Sequence, residues 1–235
     1  MKIMPEEINK KSFVFGAVTG IIALILMIIG GGGVIYLLHM NNADYSYLDN
    51  NQYTQRQGLF EIIPPAKVDI IFLGDSITQR CEWQELFPEY NVQNRGIGSD
   101  ISEGVLNRLD VIYAAEPKII FLMIGVNDIS KGVSVSEYVA NYREIISNIQ
   151  WHTPNSSVYV QSILPAKSIP SLKTEEWNSC LKTLCDELNV QYIDIYSLFI
   201  DEGRTVNGDL ISNDGVHLTG IGYKVWADVL KTYLR

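Results

Sequence analysis

The sequence is poor in the residues that build disulfide frameworks and metal centres. Only three cysteines and three histidines occur among 235 residues. An odd, sparse cysteine count makes no disulfide framework, and Cys180 and Cys185 point in different directions on a predicted helix, so they are not expected to pair. No His-Glu-x-x-His or paired-cysteine motif and no glycine-rich phosphate loop is present. We therefore expect neither a metal nor another cofactor.

Positive charge is also scarce. The chain has 18 Lys and Arg against 27 Asp and Glu, a net charge of −9. This balance argues against a nucleic-acid partner and against tight adhesion to anionic lipid headgroups. The hydrophobic content of 47% is ample for one sizeable core.

The third absence is local, since residues 12–38 carry no charged side chain. A helix of this length is long enough to cross the hydrocarbon core of a bilayer. Three lysines lie among residues 1–11, and acidic residues follow the apolar run. By the positive-inside rule, we predict a cytoplasmic segment 1–11, a transmembrane anchor 12–40 and an extracytoplasmic remainder at the cell membrane.

Two further possibilities concern this end of the chain. The apolar run also fits a signal peptide that is cleaved to give a secreted protein, although no clear Ala-x-Ala site follows it. Gly16 and Gly20 form a small-xxx-small pattern that could support a weak homodimer. Residues 41–67 are polar and end with Pro64-Pro65, which predicts a stalk and lead-in segment.

Residues 68–235 alternate strand and helix patterns, which predicts an α/β domain with a parallel sheet. Short apolar runs rich in β-branched residues indicate buried strands. The five predicted strands are residues 70–73, 90–94, 118–124, 158–163 and 190–195. The intervening helices are predicted near residues 101–109, after Ser134, and at 174–188, with a last helix at 220–234.

Four short motifs lie at predicted strand ends or in the last loop: Gly74-Asp75-Ser76-Ile77-Thr78, Arg95-Gly96-Ile97-Gly98, Gly125-Val126-Asn127-Asp128 and Asp214-Gly215-Val216-His217. In this order they resemble the SGNH (GDSL) hydrolases, and in particular the lysophospholipase L1-like and platelet-activating-factor acetylhydrolase-like esterases. The resemblance covers residues 68–234. It implies a flavodoxin-like three-layer sandwich with a five-stranded parallel sheet, and an acyl ester hydrolase.

The catalytic residues can be justified chemically. A serine hydroxyl needs a base, and histidine titrates near neutral pH. Of the three histidines, His39 lies at the membrane boundary and His152 follows a predicted helix. His217 precedes the last helix, with Asp214 three residues upstream, a spacing that lets the carboxylate orient the imidazole. We predict Ser76 as nucleophile, His217 as base and Asp214 as the orienting acid.

An acyl-transfer reaction also needs donors for the developing oxyanion. The resemblance implies the backbone N–H groups of Ser76 and Gly96 and the side-chain amide of Asn127. Lack of a Cβ lets Gly96 approach closely. Nearby acids are interpreted as hydrogen-bond acceptors that shape the loops; these are Asp75, Asp100 and Asp128.

The sequence therefore predicts a membrane-anchored serine esterase that forms an acyl-enzyme. Its substrate is a small acyl ester, either a lysophospholipid-like lipid or, alternatively, an O-acetylated envelope or extracellular glycan. A catalytically silent membrane-anchored binding protein is the competing class, and turnover of p-nitrophenyl acetate distinguishes it from an enzyme.

Overall fold

The computed structural model describes residues 46–63 and 66–234. The predicted segments 1–11 and 12–40, with Gly16 and Gly20, lie outside the described residues. Within the described ranges, no helix combines the length and the apolar character needed to cross a membrane.

A five-stranded parallel sheet forms the centre of residues 46–234, in the order β2-β1-β3-β4-β5. This is the flavodoxin-like strand order, whose ligand sites lie at the carboxyl ends of the central strands. The predicted five-stranded parallel sheet is confirmed. Its strands are β1 Ile70–Gly74, β2 Val92–Gly96, β3 Ile119–Met123, β4 Ser157–Gln161 and β5 Gln191–Ile193.

The central strands are buried because their side chains are apolar on both faces. All five residues of β1 are buried, and Ile70 to Leu73 have no exposed surface. In β3, Ile120 to Met123 are likewise buried. Continuous apolar runs of this kind require cover on both sides of a parallel sheet.

Helices provide that cover, and aromatic contacts show which of them share a layer. Trp83, between β1 and β2, packs edge-on against Trp226 near the end of the chain, with ring centroids 4.7 Å apart. Tyr138 packs against Trp177 at 4.7 Å. The helices are α1 Asn51–Ile62, α2 Ser76–Gln79, α3 Trp83–Leu86, α4 Ser102–Leu106, α5 Asp110–Tyr113, α6 Val126–Lys131, α7 Val135–His152, α8 Ser171–Glu187 and α9 Gly220–Lys231.

Two segments differ from the sequence prediction in detail. The helix expected at 101–109 ends at Leu106, and a separate helix α5 begins at Asp110. The interruption contains Arg108, whose side chain turns into the interior to meet polar groups there. In the segment predicted as stalk and lead-in, Ser46–Ile62 forms a 3-10 turn and the helix α1. Tyr53 and Phe60 of α1 pack with Ile97, so this helix is part of the folded unit.

Candidate active site

Ser76 lies where β1 gives way to α2, at the carboxyl edge of the sheet. Asp75 caps this short helix by accepting a hydrogen bond from the Ile77 N–H at 2.9 Å. The half-buried Ser76 hydroxyl is 2.8 Å from Nε2 of His217. Residues 141 positions apart are thus brought into direct hydrogen-bond contact.

The turn before α9 holds His217 and Asp214 in register. Asp214 Oδ2 is 2.7 Å from His217 Nδ1. Its other oxygen accepts hydrogen bonds from the backbone N–H groups of Val216 at 3.0 Å and of His217 at 2.9 Å. Gly215 permits this tight turn because its φ of 79° lies in the left-handed region.

These backbone hydrogen bonds to Asp214 also control its charge. The N–H groups of Val216 and His217 hold the pKa of Asp214 well below its usual range, because they stabilise the carboxylate form. Arg80 lies 3.7 Å from the same carboxylate, but both groups are largely exposed, so water screens this ion pair. Asp214 is therefore ionised beside the imidazole at neutral pH.

The structure places Gly96 beside the site but directs its N–H elsewhere. This N–H donates to Asn94 Oδ1 at 2.9 Å, so the donor that the sequence assigns to the oxyanion is already engaged. The glycine has another reason to be there. A Cβ at this position would lie 2.3 Å from the Gln79 backbone nitrogen, so only glycine allows α2 to approach β2 this closely.

Asn127 lies at the start of α6, directly after β3. Its side-chain amide donates one hydrogen bond to the Asp100 carbonyl at 2.9 Å. An amide nitrogen carries two hydrogens, so this bond fixes the group and leaves the second N–H for another acceptor. Asn127 is thereby anchored to the loop that follows β2.

That loop contains a residue that the sequence analysis missed. Ser99 is exposed and has a φ of 59°, an uncommon conformation for a residue other than glycine. The Asp100 N–H bonds back to the Ile97 carbonyl at 3.3 Å, which closes a turn around Gly98 and Ser99. Strained backbone of this kind is concentrated at functional sites. Sequence patterns do not reveal a left-handed serine.

Arg108 is a second residue that the sequence analysis missed. It is fully buried and forms an ion pair with Asp100, which is also fully buried, at 2.9 Å. Its guanidinium also donates to the carbonyls of Gly74 at 3.0 Å and Arg95 at 2.8 Å. A single side chain therefore ties the ends of β1 and β2 together. The available signal was an arginine between Val105 and Leu109, two buried apolar residues of the predicted helix 101–109.

The acids interpreted as loop-shaping acceptors are all buried beneath the site. Asp128 accepts from the Ser102 N–H at 3.0 Å, and Asp75 caps α2. Burial raises the pKa of Asp75 to about 7 and of Asp100 and Asp128 to about 6. Burial dominates because water no longer solvates the charged form.

Stability should therefore depend on pH through Asp75. The unfolded chain loses this proton near pH 3.8, whereas the folded protein keeps it to about pH 7. The contribution of Asp75 is complete below the unfolded pKa and is lost as the pH rises through the folded pKa. We expect Asp75→Asn, which can still cap α2, to flatten the fall in unfolding free energy between about pH 4 and 7, measured by urea denaturation. The effect should be on the order of a few kcal/mol.

The exposed Asp186 on α8 provides the matched control. Asp186→Asn removes an equal charge from the surface and should leave the pH dependence of unfolding close to that of the wild type. Equal slopes for the Asp75→Asn variant and the wild type would contradict this account.

The three cysteines and His152 take no part in the site. Cys81 and Cys185 are buried, and all three cysteines are free. The His152 ring stacks on Tyr113 at 4.3 Å, and His39 lies outside the described residues. Within residues 46–63 and 66–234, no cluster of three or more His, Cys, Asp or Glu side chains could bind a metal ion.

A parallel α/β sheet with a serine and a histidine in contact at its carboxyl edge is the arrangement of a hydrolase with a serine nucleophile. The chain belongs to the GDSL-like lipase/acylhydrolase family, whose model matches residues 72–225. It is therefore a hydrolytic esterase, and the predicted family is confirmed.

Relatives and solved structures agree with this assignment. Platelet-activating factor acetylhydrolase IB subunit alpha2 of Homo sapiens is 31% identical over 166 residues, which cover 66% of this chain and 71% of the relative. A structure from Streptococcus pneumonia, named for platelet activating factor, is 28% identical with a TM-score of 0.72, covering 87% of this chain and 99% of that one. The lipase/acylhydrolase from Enterococcus faecalis shares the fold at 20% identity, with a TM-score of 0.61 over 72% of this chain and 95% of its own.

Proposed function

We propose that this chain is a membrane-anchored serine esterase that hydrolyses acyl esters through an acyl-enzyme on Ser76. The observation that carries the proposal is the continuous hydrogen-bonded chain from Ser76 to Asp214. It runs 2.8 Å from Ser76 Oγ to His217 Nε2 and 2.7 Å from His217 Nδ1 to Asp214 Oδ2. In this arrangement the imidazole can accept the serine proton on one nitrogen while the carboxylate holds the other.

The reaction follows from these contacts. His217 Nε2 takes the proton of Ser76 as Oγ bonds to the carbonyl carbon of the ester. The resulting tetrahedral oxyanion collapses, the bond to the alcohol breaks, and the imidazolium returns its proton to the departing alcohol. A water molecule, deprotonated by His217, then hydrolyses the acyl-enzyme and regenerates the Ser76 hydroxyl.

Three donors are proposed for the oxyanion. The Ser76 N–H is the first of α2 and has no acceptor within that helix. The second amide hydrogen of Asn127 is the next donor. The third is the N–H of Ser99, in place of the Gly96 N–H, which Asn94 engages. The left-handed turn at Ser99 and the bond from Asn127 to the adjacent Asp100 support this choice.

A lipid ester is the proposed substrate class. The human relative named above is a subunit of a platelet-activating factor acetylhydrolase, and the uncharged residues 12–38 would hold the domain beside a bilayer. We expect turnover of p-nitrophenyl acetate by the full-length chain in detergent, together with release of fatty acid or acetate from a lysophospholipid or an acetylated lipid. A chain-length series of p-nitrophenyl esters would show which acyl group is preferred. Hydrolysis of acetylated sugars with no action on lipid would favour the alternative O-acetylesterase.

The cellular location is proposed from the same run of residues. With lysines among residues 1–11 on the cytoplasmic side, Ser76 would lie outside the cell membrane. Protease added to intact cells should then digest the catalytic domain. Protection of that domain until lysis would contradict the topology, and recovery of a soluble domain from the medium would indicate secretion after signal cleavage.

A further inference from the structure

The loop of residues 96–100 is held in place by the segment that precedes the sheet. Asn50, which is buried, donates from Nδ2 to the Gly98 carbonyl at 2.6 Å. Arg56 donates from Nε to the Gly96 carbonyl at 2.9 Å. Asn50 at the N-cap of α1 and Arg56 in its first half thus each donate a hydrogen bond to one carbonyl of the loop.

Apolar packing reinforces these hydrogen bonds. Ile97 lies between Gly96 and Gly98 and has no exposed surface. It packs in one cluster with Tyr53 and Phe60 of α1. The loop is also contacted from the other side, where the Ile97 N–H bonds to the Gly74 carbonyl at 3.0 Å. On that side Asn127 bonds to Asp100. The loop therefore lies between α1 and the strand ends that carry Ser76 and Asn127.

The hydrogen bond from Asn50 has a directional consequence. The Gly98 carbonyl and the Ser99 N–H belong to the same peptide plane, and in a trans peptide these two groups point in opposite directions. Holding the carbonyl toward α1 turns the Ser99 N–H toward the side of Ser76 and Asn127. A donor to the carbonyl also polarises the peptide and strengthens its N–H as a donor.

We propose that Asn50 is a positioning residue for catalysis, which acts by orienting the Ser99 N–H toward the oxyanion. This proposal rests on the proposed function of Ser76 as the nucleophile. It also gives residues 46–63 a role in the reaction, beyond that of a stalk. Asn50 touches no reacting atom and acts through the Gly98–Ser99 peptide.

The two roles of Asn50 can be separated. Its Oδ1 caps α1 by accepting from the Gln52 N–H at 3.0 Å, while its Nδ2 holds the loop. Aspartate and serine cap helices as well as asparagine does. An aspartate carboxylate cannot donate to the Gly98 carbonyl, and a serine side chain is too short to reach it. Asn50→Asp and Asn50→Ser therefore keep the helix cap and remove the hydrogen bond to the Gly98 carbonyl.

The test compares these variants in the full-length chain with p-nitrophenyl acetate. We expect kcat to fall about 10-fold with KM within about twofold, because the donor is misaligned rather than deleted, and deletion of a donor costs 10²–10³. The rate of inactivation by a fluorophosphonate should fall in parallel, since its phosphoryl oxygen occupies the oxyanion position. The melting temperature should fall by only about 2–4 °C per kcal/mol of the lost hydrogen bond.

Asn51→Asp is the matched control, because it adds the same charge one residue later at an exposed position of α1. It should retain wild-type kcat. A folded Asn50→Asp or Asn50→Ser variant with wild-type kcat, or a kcat loss of the same size in Asn51→Asp, would overturn the proposal. If either Asn50→Asp or Asn50→Ser fails to fold, the other variant tests the proposal. Turnover by Ser76→Ala would instead refute the proposed function, so the two failures can be told apart.

Discussion

Replacing Ser76 with alanine is expected to reduce kcat for ester hydrolysis by about 10⁴- to 10⁶-fold while leaving the fold intact. The change removes one oxygen that is half-buried and bonded to His217 Nε2, so little packing is lost. His217→Ala should cost a similar factor, because serine without its base is a weak nucleophile. The double variant should be no worse than either single one, since the two residues act as a unit. Steady-state kinetics with p-nitrophenyl acetate measures all three.

Two controls make this result specific. His152→Ala removes a histidine that stacks on Tyr113, outside the site, and should retain wild-type kcat. Fluorophosphonate should label the wild type at Ser76, and the Ser76→Ala variant should remain unlabelled. An active Ser76→Ala variant, or labelling of another serine, would refute the assignment of the nucleophile.

The acid limb of the activity profile follows from the same geometry. Only a neutral imidazole can accept the proton of Ser76, so kcat/KM should fall in acid. Asp214 does not contribute to this limb, because backbone N–H groups keep its pKa well below the usual range. Asp214→Asn should therefore lower activity at every pH and shift the limb, which a pH series from 5 to 9 would show.

The sequence predicted the sheet and the Ser76–His217–Asp214 contacts because each depends on a local pattern. Apolar runs such as Ile70 to Leu73 can be stable only inside a covered sheet. The polar motifs follow those runs directly, so the common edge of a parallel sheet gathers them. Even the pairing of acid and base was encoded locally, since Asp214 and His217 share one turn.

What the sequence did not predict depends on contacts between distant residues. Nothing in the sequence near Gly96 indicates that the Gly96 N–H donates to the Asn94 side chain, because that hydrogen bond depends on the rotamer of Asn94. Asn50 is 48 positions from Gly98 in the sequence. The polar residues around Asn50 favoured the interpretation of that segment as a stalk. Arg108 is 34 positions from Gly74 and was hidden within an apolar helix pattern. Such polar contacts have no periodicity, so only the folded chain reveals them.

Asn127→Ala is expected to lower kcat by on the order of 10²–10³ with little change in KM. Its amide lies between the Asp100 carbonyl, to which it donates at 2.9 Å, and the proposed oxyanion position. The charge on the substrate oxygen develops only in the transition state, so loss of this donor affects kcat rather than ground-state binding. Asn127→Asp should be at least as damaging, because a carboxylate cannot donate and would repel the oxyanion. Steady-state kinetics on the purified chain separates kcat from KM.

Asn141→Ala tests whether such a loss comes from catalysis or from structure. Asn141 is also partly buried and also donates one hydrogen bond, to Ser102 Oγ at 3.0 Å, but from α7 rather than from a strand end at the site. Each alanine variant should lose about 1 kcal/mol of stability for one such bond, measured by urea denaturation. Only Asn127→Ala should lose kcat. Equal kinetic losses in the two variants, or wild-type kcat in Asn127→Ala, would remove Asn127 from the oxyanion site and leave Ser76 and Ser99 as its donors.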